Sequence, residues 1–452
     1  MSTASPSTTV DAAVASASDA VFRVTGPVSA LMPEEQRALF DRSTSADDAV
    51  RTQTAAIIRR VQRDGDTALR ELAAQFDGAT LVALEVPRHE WERARDTMEP
   101  ALRESLERTV RNVRKAHVAF LPQAVEVETE PGVLIGRRPD PLQRVGVYAP
   151  GGRAAYPSSL IMGVVPAKVA GVHDVIVCSP ASSSGRPSDV VLAAAAIAGA
   201  DRMFAIGGAG AVAAMAYGTA SVPRVDRIVG PGNAYVAEAK LQCAGAVAID
   251  SPAGPSELLV LADASVDATI VAREMLAQAE HDPRAAIVCV TIGADAAARI
   301  RRAIDILLPS IERQQIVRDA FAFAGAVLHA DSLDEAVTFA NAWAAEHLLL
   351  ALAPDALEQA FASLRGAGTV FLGPTASVAF GDYMTGANHV LPTGGLSRCY
   401  SGLSTLDFIR WTSWQRVTPA AAASLAPAVG RFADSEGLPN HAVTARQWST
   451  AS

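Results

Sequence analysis

From Val145 onward the chain alternates short apolar runs with segments of helical length, and few folds accommodate that rhythm. VGVYAP precedes SSLIMGVVPAKVAG, DVIVCSP precedes SDVVLAAAAIAGA, RMFAIGG precedes AGAVAAMAYGT, and RIVGPGN precedes NAYVAEAKLQCAG, with AVAID completing the set. The rhythm resumes beyond the loop SPAGPSE with ELLVLAD, AAIVCVTI, GAVLHA, HLLLALA and GTVFLG, again separated by helical stretches. Neighbouring parallel strands need a long crossover, which a helix supplies, so the alternation predicts stacked βαβ units around parallel sheets. Two α/β blocks of Rossmann-like design are expected, split near residues 251–257. Residues 46–114 read helical, with apolar side chains at helical spacing, and the chain reads mostly helical again after Ser401. The expected division is a disordered tail over 1–20 and an N-terminal segment over 21–45. A first α/β domain takes 46–147 and 256–400, a second takes 148–255, and a helical C-terminal tail takes 401–452.

Composition narrows the function. The 452 residues are half hydrophobic, enough for more than one core, since single cores stop growing at roughly 250–300 residues. Charged residues make up 19%, the net charge is -9 and no long basic block occurs. That excludes a nucleic-acid surface, which needs clustered Lys and Arg. Cys178, Cys243, Cys289 and Cys399 are far apart and form no C-x-x-C pair. Neither a disulfide scaffold nor a thiolate zinc site is indicated, and free thiols point to a reducing, cytoplasmic setting. The most apolar run, 190–200, is shorter than the roughly 20 residues of a bilayer helix. The first twenty residues are rich in Ser, Thr and Ala. They lack the charged start of a secretory signal, and Asp11 and Asp19 without any Arg argue against a transit peptide.

Several residues could carry chemistry. Gln278 and His281 lie at i and i+3 where a helix ends, so both share one face. An imidazole is a good zinc ligand and an amide oxygen a poorer one; the same residues could simply cap the last turn. Glu346-His347 marks a helix end before the buried run LLLALA. The pair reads either as a polar helix terminus or as a general acid–base pair, because histidine suits proton transfer near neutral pH. GDYMTGANHVLPTGG, with Asp382, Asn388 and His389 among glycines, reads as a connector or as a site loop. YAPGGR follows a strand and GPGNAY opens a helix near Asn233, both suited to an anion or cofactor. Gly208-x-Gly210-x-x-Ala213 resembles a dinucleotide fingerprint, but the acidic residue expected after the next strand is missing, because Asp226 precedes RIVG.

These pieces, in this order, resemble the histidinol dehydrogenase family. The strings that carry the likeness are VGVYAPGG, YPSSLIMGVVPAKVAGV, GPGNAYVAEAK, PAGPSELLVLAD, LAQAEHDP, AEHLLL, GDYMTGANHVLPTGG, SGLS and SEGLPNH, spanning about residues 46–446. The resemblance implies an NAD-linked, zinc-dependent oxidation of L-histidinol to L-histidine through L-histidinaldehyde, the last step of histidine biosynthesis. It implies one zinc per subunit on Gln278, His281, Asp382 and His441, with His441 and Glu436 reaching the partner's site in a homodimer. It implies that Ser256, Gln278, His281, His347, Asp382, His389, Glu436 and His441 bind substrate, that Glu346 and His347 are catalytic, and that Tyr148 and Asn233 contact NAD. Two departures stand out: Gly210 occupies a position where many members have a Gln that contacts NAD, and the chain is shorter after His441. The rival readings are a relative on the same scaffold that oxidises another polar alcohol, such as a sulfonated diol, a zinc hydrolase using Glu346, and a non-catalytic binding protein. The hydrolase needs no NAD and leaves the YAPGG and GPGN loops unexplained.

Overall fold

The structure, a computed structural model, describes residues 21–42, 48–151 and 155–450. The expected tail over 1–20 lies outside the described residues, as does Gly152 of the YAPGGR loop. Among the described residues, fourteen strands form three sheets. The six-stranded sheet runs β1 (Val24–Pro27), β11 (Gly325–Ala330), β10 (Ala286–Ile292), β9 (Glu257–Ala262), β12 (His347–Ala351) and β13 (Thr369–Leu372). The five-stranded sheet runs β6 (Arg202–Phe204), β5 (Asp174–Cys178), β4 (Arg144–Tyr148), β7 (Arg227–Val229) and β8 (Ala248–Ile249). All pairings in both are parallel. The third sheet is antiparallel and joins β2 (Val125–Glu130), β3 (Val133–Pro141) and β14 (Ile409–Val417).

Helices connect and cover the strands. The first block holds α2 (Asp48–Leu72), α3 (Arg88–Thr97), α4 (Pro100–Ala119), α5 (Pro157–Ala170), α6 (Asp189–Ala198), α7 (Gly208–Tyr217) and α8 (Ala234–Cys243). The six-stranded sheet carries α1 (Pro33–Phe40), α9 (Ala268–Ala279), α10 (Ala294–Leu307), α11 (Gln314–Ala324), α12 (Leu333–Trp343), α13 (Pro354–Ser363) and α14 (Val378–Tyr383). The tail ends in α15 (Pro419–Ser435) and α16 (Pro439–Arg446).

Two features differ from the sequence-based expectation. First, residues 46–147 were expected with 256–400, but α2 packs on α7 and α8, α3 on α6, and α4 on α5. Ile58, Leu69, Trp91, Val110 and Val113 share one core with Val147, Ile176 and Phe204. The physical reason lies in α5 and α7, which are buried on nearly every side. A helix apolar all round needs cover on its outer face, and the amphipathic α2–α4 supply it. By contrast α10 and α11 each bury one stripe and need no second layer. Second, the tail expected to be helical from 401 contains β14. IRWTSWQRV is rich in aromatic and β-branched residues, and it pairs with β3 from Ile409–Pro141 to Val417–Val133.

The segment 381–395 bridges the two blocks. It leaves the six-stranded side after α14, yet Thr109 donates to the Tyr383 carbonyl at 2.7 Å and Asn112 to the Met384 carbonyl at 2.8 Å, both from α4. Asn388 donates to the Met162 carbonyl of α5 at 2.8 Å. Gly386, at φ 96°, lies against α4 where a side chain would meet the Asn112 carbonyl oxygen at 2.7 Å.

Candidate active site

Glu346 and His347 stand where α12 gives way to β12. Ala344 turns the chain with φ 51°, and His347 opens the strand opposite Leu258 of β9. The pair therefore lies at the amino end of β12, beside the amino end of the parallel β9, the opposite end from the one ligands usually approach in such sheets. Glu346 and His347 are 6% and 4% exposed. Glu257 of β9 holds both through its backbone: its N–H donates to Glu346 Oε2 at 2.7 Å, and its carbonyl oxygen lies 3.1 Å from His347 Nδ1. Nδ1 is also 3.3 Å from Glu346 Oε2. Facing only oxygen acceptors, Nδ1 carries a proton, so Nε2 is the ring position that can gain or lose one. Nε2 is buried without a hydrogen-bond partner among the described residues and lies 3.6 Å from Asp382 Oδ1. The ring stacks on Phe371 of β13 at 5.9 Å. Burial works against charging this imidazole, but the Glu346 and Asp382 carboxylates outweigh it and hold the group well above the usual histidine range.

Asp382 comes from α14, whose first N–H, on Val378, donates to Glu274 of α9 at 3.1 Å. Gln278, buried, is four residues beyond Glu274 on that helix, and His281, exposed, lies just past its end. Burial alone would raise the Asp382 carboxyl; the imidazoles of His347, His389 and His281 hold it below the usual range instead. His389 places Nδ1 2.8 Å from the Asp382 carbonyl and Nε2 3.4 Å from Ser159 Oγ of α5. Burial lowers its basicity, with Asp382 opposing. Ser256 immediately precedes the Glu257 peptide that holds the pair.

One chain thus gathers Ser256, Gln278, His281, Glu346, His347, Asp382 and His389 around one region. It does not bring in Glu436 or His441, which are exposed on the α15–α16 tail. Among the described residues no three His, Cys, Asp or Glu side chains group as a metal cage. Asp382, His281 and Gln278 offer one carboxylate, one imidazole and one amide oxygen. These donor types suit zinc, and they leave a tetrahedral set one ligand short.

A cleft of about 870 Å³ opens at the carboxyl ends of β4, β5 and β6. The five-stranded order reverses between β4 and β7, and ligands of α/β sheets bind where the order reverses. Tyr148 and Asn233 both line this cleft. The Tyr148 hydroxyl accepts the Gly208 N–H at 3.1 Å, and burial makes it a weaker acid, its pKa pushed up to about 12. Asn233 caps α8, its Oδ1 accepting from Tyr235 and Val236 at 3.1 and 3.2 Å, which leaves its amide NH2 for a ligand. Gly210 also lines the cleft, and a Cβ there would press on Leu72 at 3.0 Å. The room a longer residue needs is filled by α2. Sequence reasoning missed Asp77, a half-buried carboxyl in this wall raised by burial to about 6. The helix-and-turn stretch that carries it shows no local signal of a cleft. It also missed Glu257 and Arg42.

A chain with a large cleft at the switch point of one parallel sheet, and a buried carboxylate–imidazole pair on the other, has the build of an α/β enzyme. Comparison with known proteins gives the family. The histidinol dehydrogenase family model matches residues 40–447. The chain is 46% identical over 418 residues to histidinol dehydrogenase of Halobacterium salinarum, covering 92% of this chain and 97% of that one. It is 43% identical over 409 residues to that of Methanothermobacter thermautotrophicus, covering 90% and 96%. The crystal structure of histidinol dehydrogenase from Elizabethkingia anophelis superposes with a TM-score of 0.90 at 30% identity, covering 95% and 98%. The chain belongs to the histidinol dehydrogenase family, and it is an oxidoreductase.

Proposed function

We propose that this chain oxidises L-histidinol to L-histidine through L-histidinaldehyde, using zinc and two NAD, as the last step of histidine biosynthesis. The observation that carries the reading is the unpartnered Nε2 of His347, buried beside Asp382 and backed by Glu346, in a member of this family. Zinc, when bound, supplies a Lewis-acidic centre able to grip substrate nitrogens. Gln278, His281 and Asp382 would hold it, with His441 donated by a second copy of the chain. Ser256 and His389 would contact the substrate from this chain, and Glu436 from the second copy. With Asp382 held by the metal, His347 loses one carboxylate that helps hold its ring charged and can accept the alcohol proton at Nε2, its Nδ1–H being anchored on the Glu257 carbonyl. Glu346, whose Oε1 carries no hydrogen bond among the described residues, polarises water for attack on the aldehyde. Tyr148 and Asn233 would orient NAD in the cleft. Keeping both oxidations in one site holds the reactive aldehyde away from bulk water. The three buried, unpaired cysteines Cys178, Cys243 and Cys289 support a reducing, cytoplasmic setting. No helix among the described residues is long and apolar enough to cross a membrane.

The test is purified protein with zinc, L-histidinol and NAD, followed by absorbance of reduced nicotinamide. Two reduced cofactors for each histidine formed is the expected result. Turnover of a sulfonated diol with none of histidinol would overturn the substrate assignment in favour of a relative on the same scaffold. Hydrolysis without any NAD reduction would favour the zinc hydrolase.

A further inference from the structure

We propose that Asp77 receives the hydroxyls of the adenosine ribose of NAD, and that it turns away a cofactor carrying a 2′-phosphate. This rests on the reading above, in which the cleft at β4, β5 and β6 takes NAD. The Gly208-x-Gly210-x-x-Ala213 turn follows β6 and opens α7, as a dinucleotide fingerprint does. In such a unit an acidic residue after the next strand binds the ribose, and none stands there in this chain. Asp77 supplies one from outside the strand–helix unit. Ala73–Asp77 continues α2 as one wide π-helical turn, which Gly78 ends at φ 63°. That turn brings Phe76 and Asp77 into the wall of the cleft beside Tyr148, Gly207 and Gly208.

What the Asp77 carboxyl lacks is a donor. It is half-buried, yet it accepts no hydrogen bond and meets no cation among the described residues. Burial with nothing to offset it is why this group is raised to about 6. A partly desolvated carboxyl without a partner is costly, and a ligand that brings donors removes the cost. The surroundings say which donors fit. The Gly208 N–H, with which the start of α7 would meet a phosphate, is spent on the Tyr148 hydroxyl at 3.1 Å. Asp77 lies close enough to act electrostatically on that same hydroxyl. This part of the cleft therefore presents a carboxyl and a phenol, and it suits a neutral, hydroxyl-bearing part of a ligand. Asp77 is also the one charged side chain among the described residues that line the cleft, so no Lys or Arg there neutralises an added phosphate. Adjacent ribose hydroxyls can donate to the two oxygens of one carboxylate. A 2′-phosphate in their place sets a second anion against the first.

The experiment measures cofactor binding to the zinc-loaded full chain by calorimetry, with no histidinol present, at about pH 8, where a carboxyl raised to about 6 is ionised. The probes are NAD, NAD whose adenosine lacks the 2′-hydroxyl, and NADP. The variants are Asp77→Ala and Asp77→Asn. In the parent the deoxy analogue should bind about tenfold more weakly than NAD, and NADP about a hundredfold more weakly. In Asp77→Ala NAD should weaken about tenfold, and the gap between NAD and the deoxy analogue should close to within about twofold. In the uncharged Asp77→Asn, NADP should come to within about tenfold of NAD. A merely structural role lowers all three affinities by one factor and leaves their ratios at the parent values. Unchanged ratios in both variants overturn the proposal, as does a parent that binds the deoxy analogue or NADP as tightly as NAD. Histidinol turnover is scored apart. A parent that reduces NAD with histidinol but keeps its ratios at Asp77→Ala and Asp77→Asn loses this inference alone. Ratios that shift at Asp77 without any histidinol turnover uphold it and overturn the substrate assignment. A parent that binds no NAD overturns both.

Discussion

His347 illustrates how a single residue is prepared for chemistry. One ring nitrogen is tied to a main-chain oxygen at 3.1 Å, and the other is left bare in a buried site. Asparagine at this position can keep the bond to the Glu257 carbonyl but offers no base. His347→Asn should lower turnover by about 10²–10⁴-fold while leaving thermal unfolding and zinc content nearly unchanged, as kcat, a melting curve and metal analysis will show. Unaltered turnover would remove His347 from the reaction. Glu257 gives a stability prediction. Its folded carboxyl titrates near 7, above its ordinary value, so its stabilising contribution is full below the ordinary carboxyl range and is lost as pH rises through about 7. Glu257→Gln should therefore flatten the fall in unfolding temperature between pH 5 and 7; an identical slope in parent and variant refutes the assignment. At this scale the sequence displayed the proposed reacting residues and hid the groups packed behind them. Glu346-His347 is visible as a polar pair before a buried run. Nothing near Arg42 in the chain announces that it meets Glu257 more than two hundred residues away, because an ion pair between distant segments leaves no local pattern.

At the scale of elements, the GPGN turn is held by a second buried ion pair. Lys240 of α8 pairs with Asp250, both 3% exposed, and Lys240 donates to the Gly230 carbonyl at 3.1 Å while the Gly230 N–H donates to Asp250 at 2.7 Å. Gly230, at φ 114°, lies so close to the Tyr148 carbonyl that a side chain would collide with it. The turn therefore locks Asn233 and Tyr148, the two expected cofactor contacts, to each other. Asp250→Asn strands a buried ammonium and should cost about 3–5 kcal/mol in urea unfolding, and it should weaken NAD binding measured by calorimetry. Full stability in this variant would show that the pair does not brace the turn. The strand–helix alternation from β4 to β13 was legible because parallel strands buried on both faces leave continuous apolar runs. The hairpin of β2 and β3 was not, since β2 is exposed along its whole length and has no buried face to impose alternation. Nor was the packing of α2–α4, because an amphipathic face shows that a partner exists and not which one it is.

At the scale of the whole molecule, the last two helices carry apolar side chains that stand open to solvent. Phe432, Val443 and Trp448 are 68%, 67% and 49% exposed on α15, α16 and the turn that follows, the kind of surface that the second copy of the proposed dimer would cover. Glu436 and His441 belong to the same tail, while Gln278, His281 and Asp382, the proposed metal ligands, lie on the side of the six-stranded sheet. The family resemblance made the shared site an expectation; the sequence alone could not reveal it, since spacing along one chain says nothing about which copy completes the set. Mixing two inactive variants settles the point. His441→Ala keeps the reacting pair and loses the tail ligand, and His347→Asn does the reverse. Co-refolded in equal amounts, half of the dimers are mixed. In a mixed dimer the chain carrying His441→Ala would receive an intact tail from the other, so one of its two sites is whole. Activity should return to about a quarter of the parent level, with zinc recovered alongside. Were His441 to serve the site of its own chain, every site in the mixture would lack one residue and no activity would return.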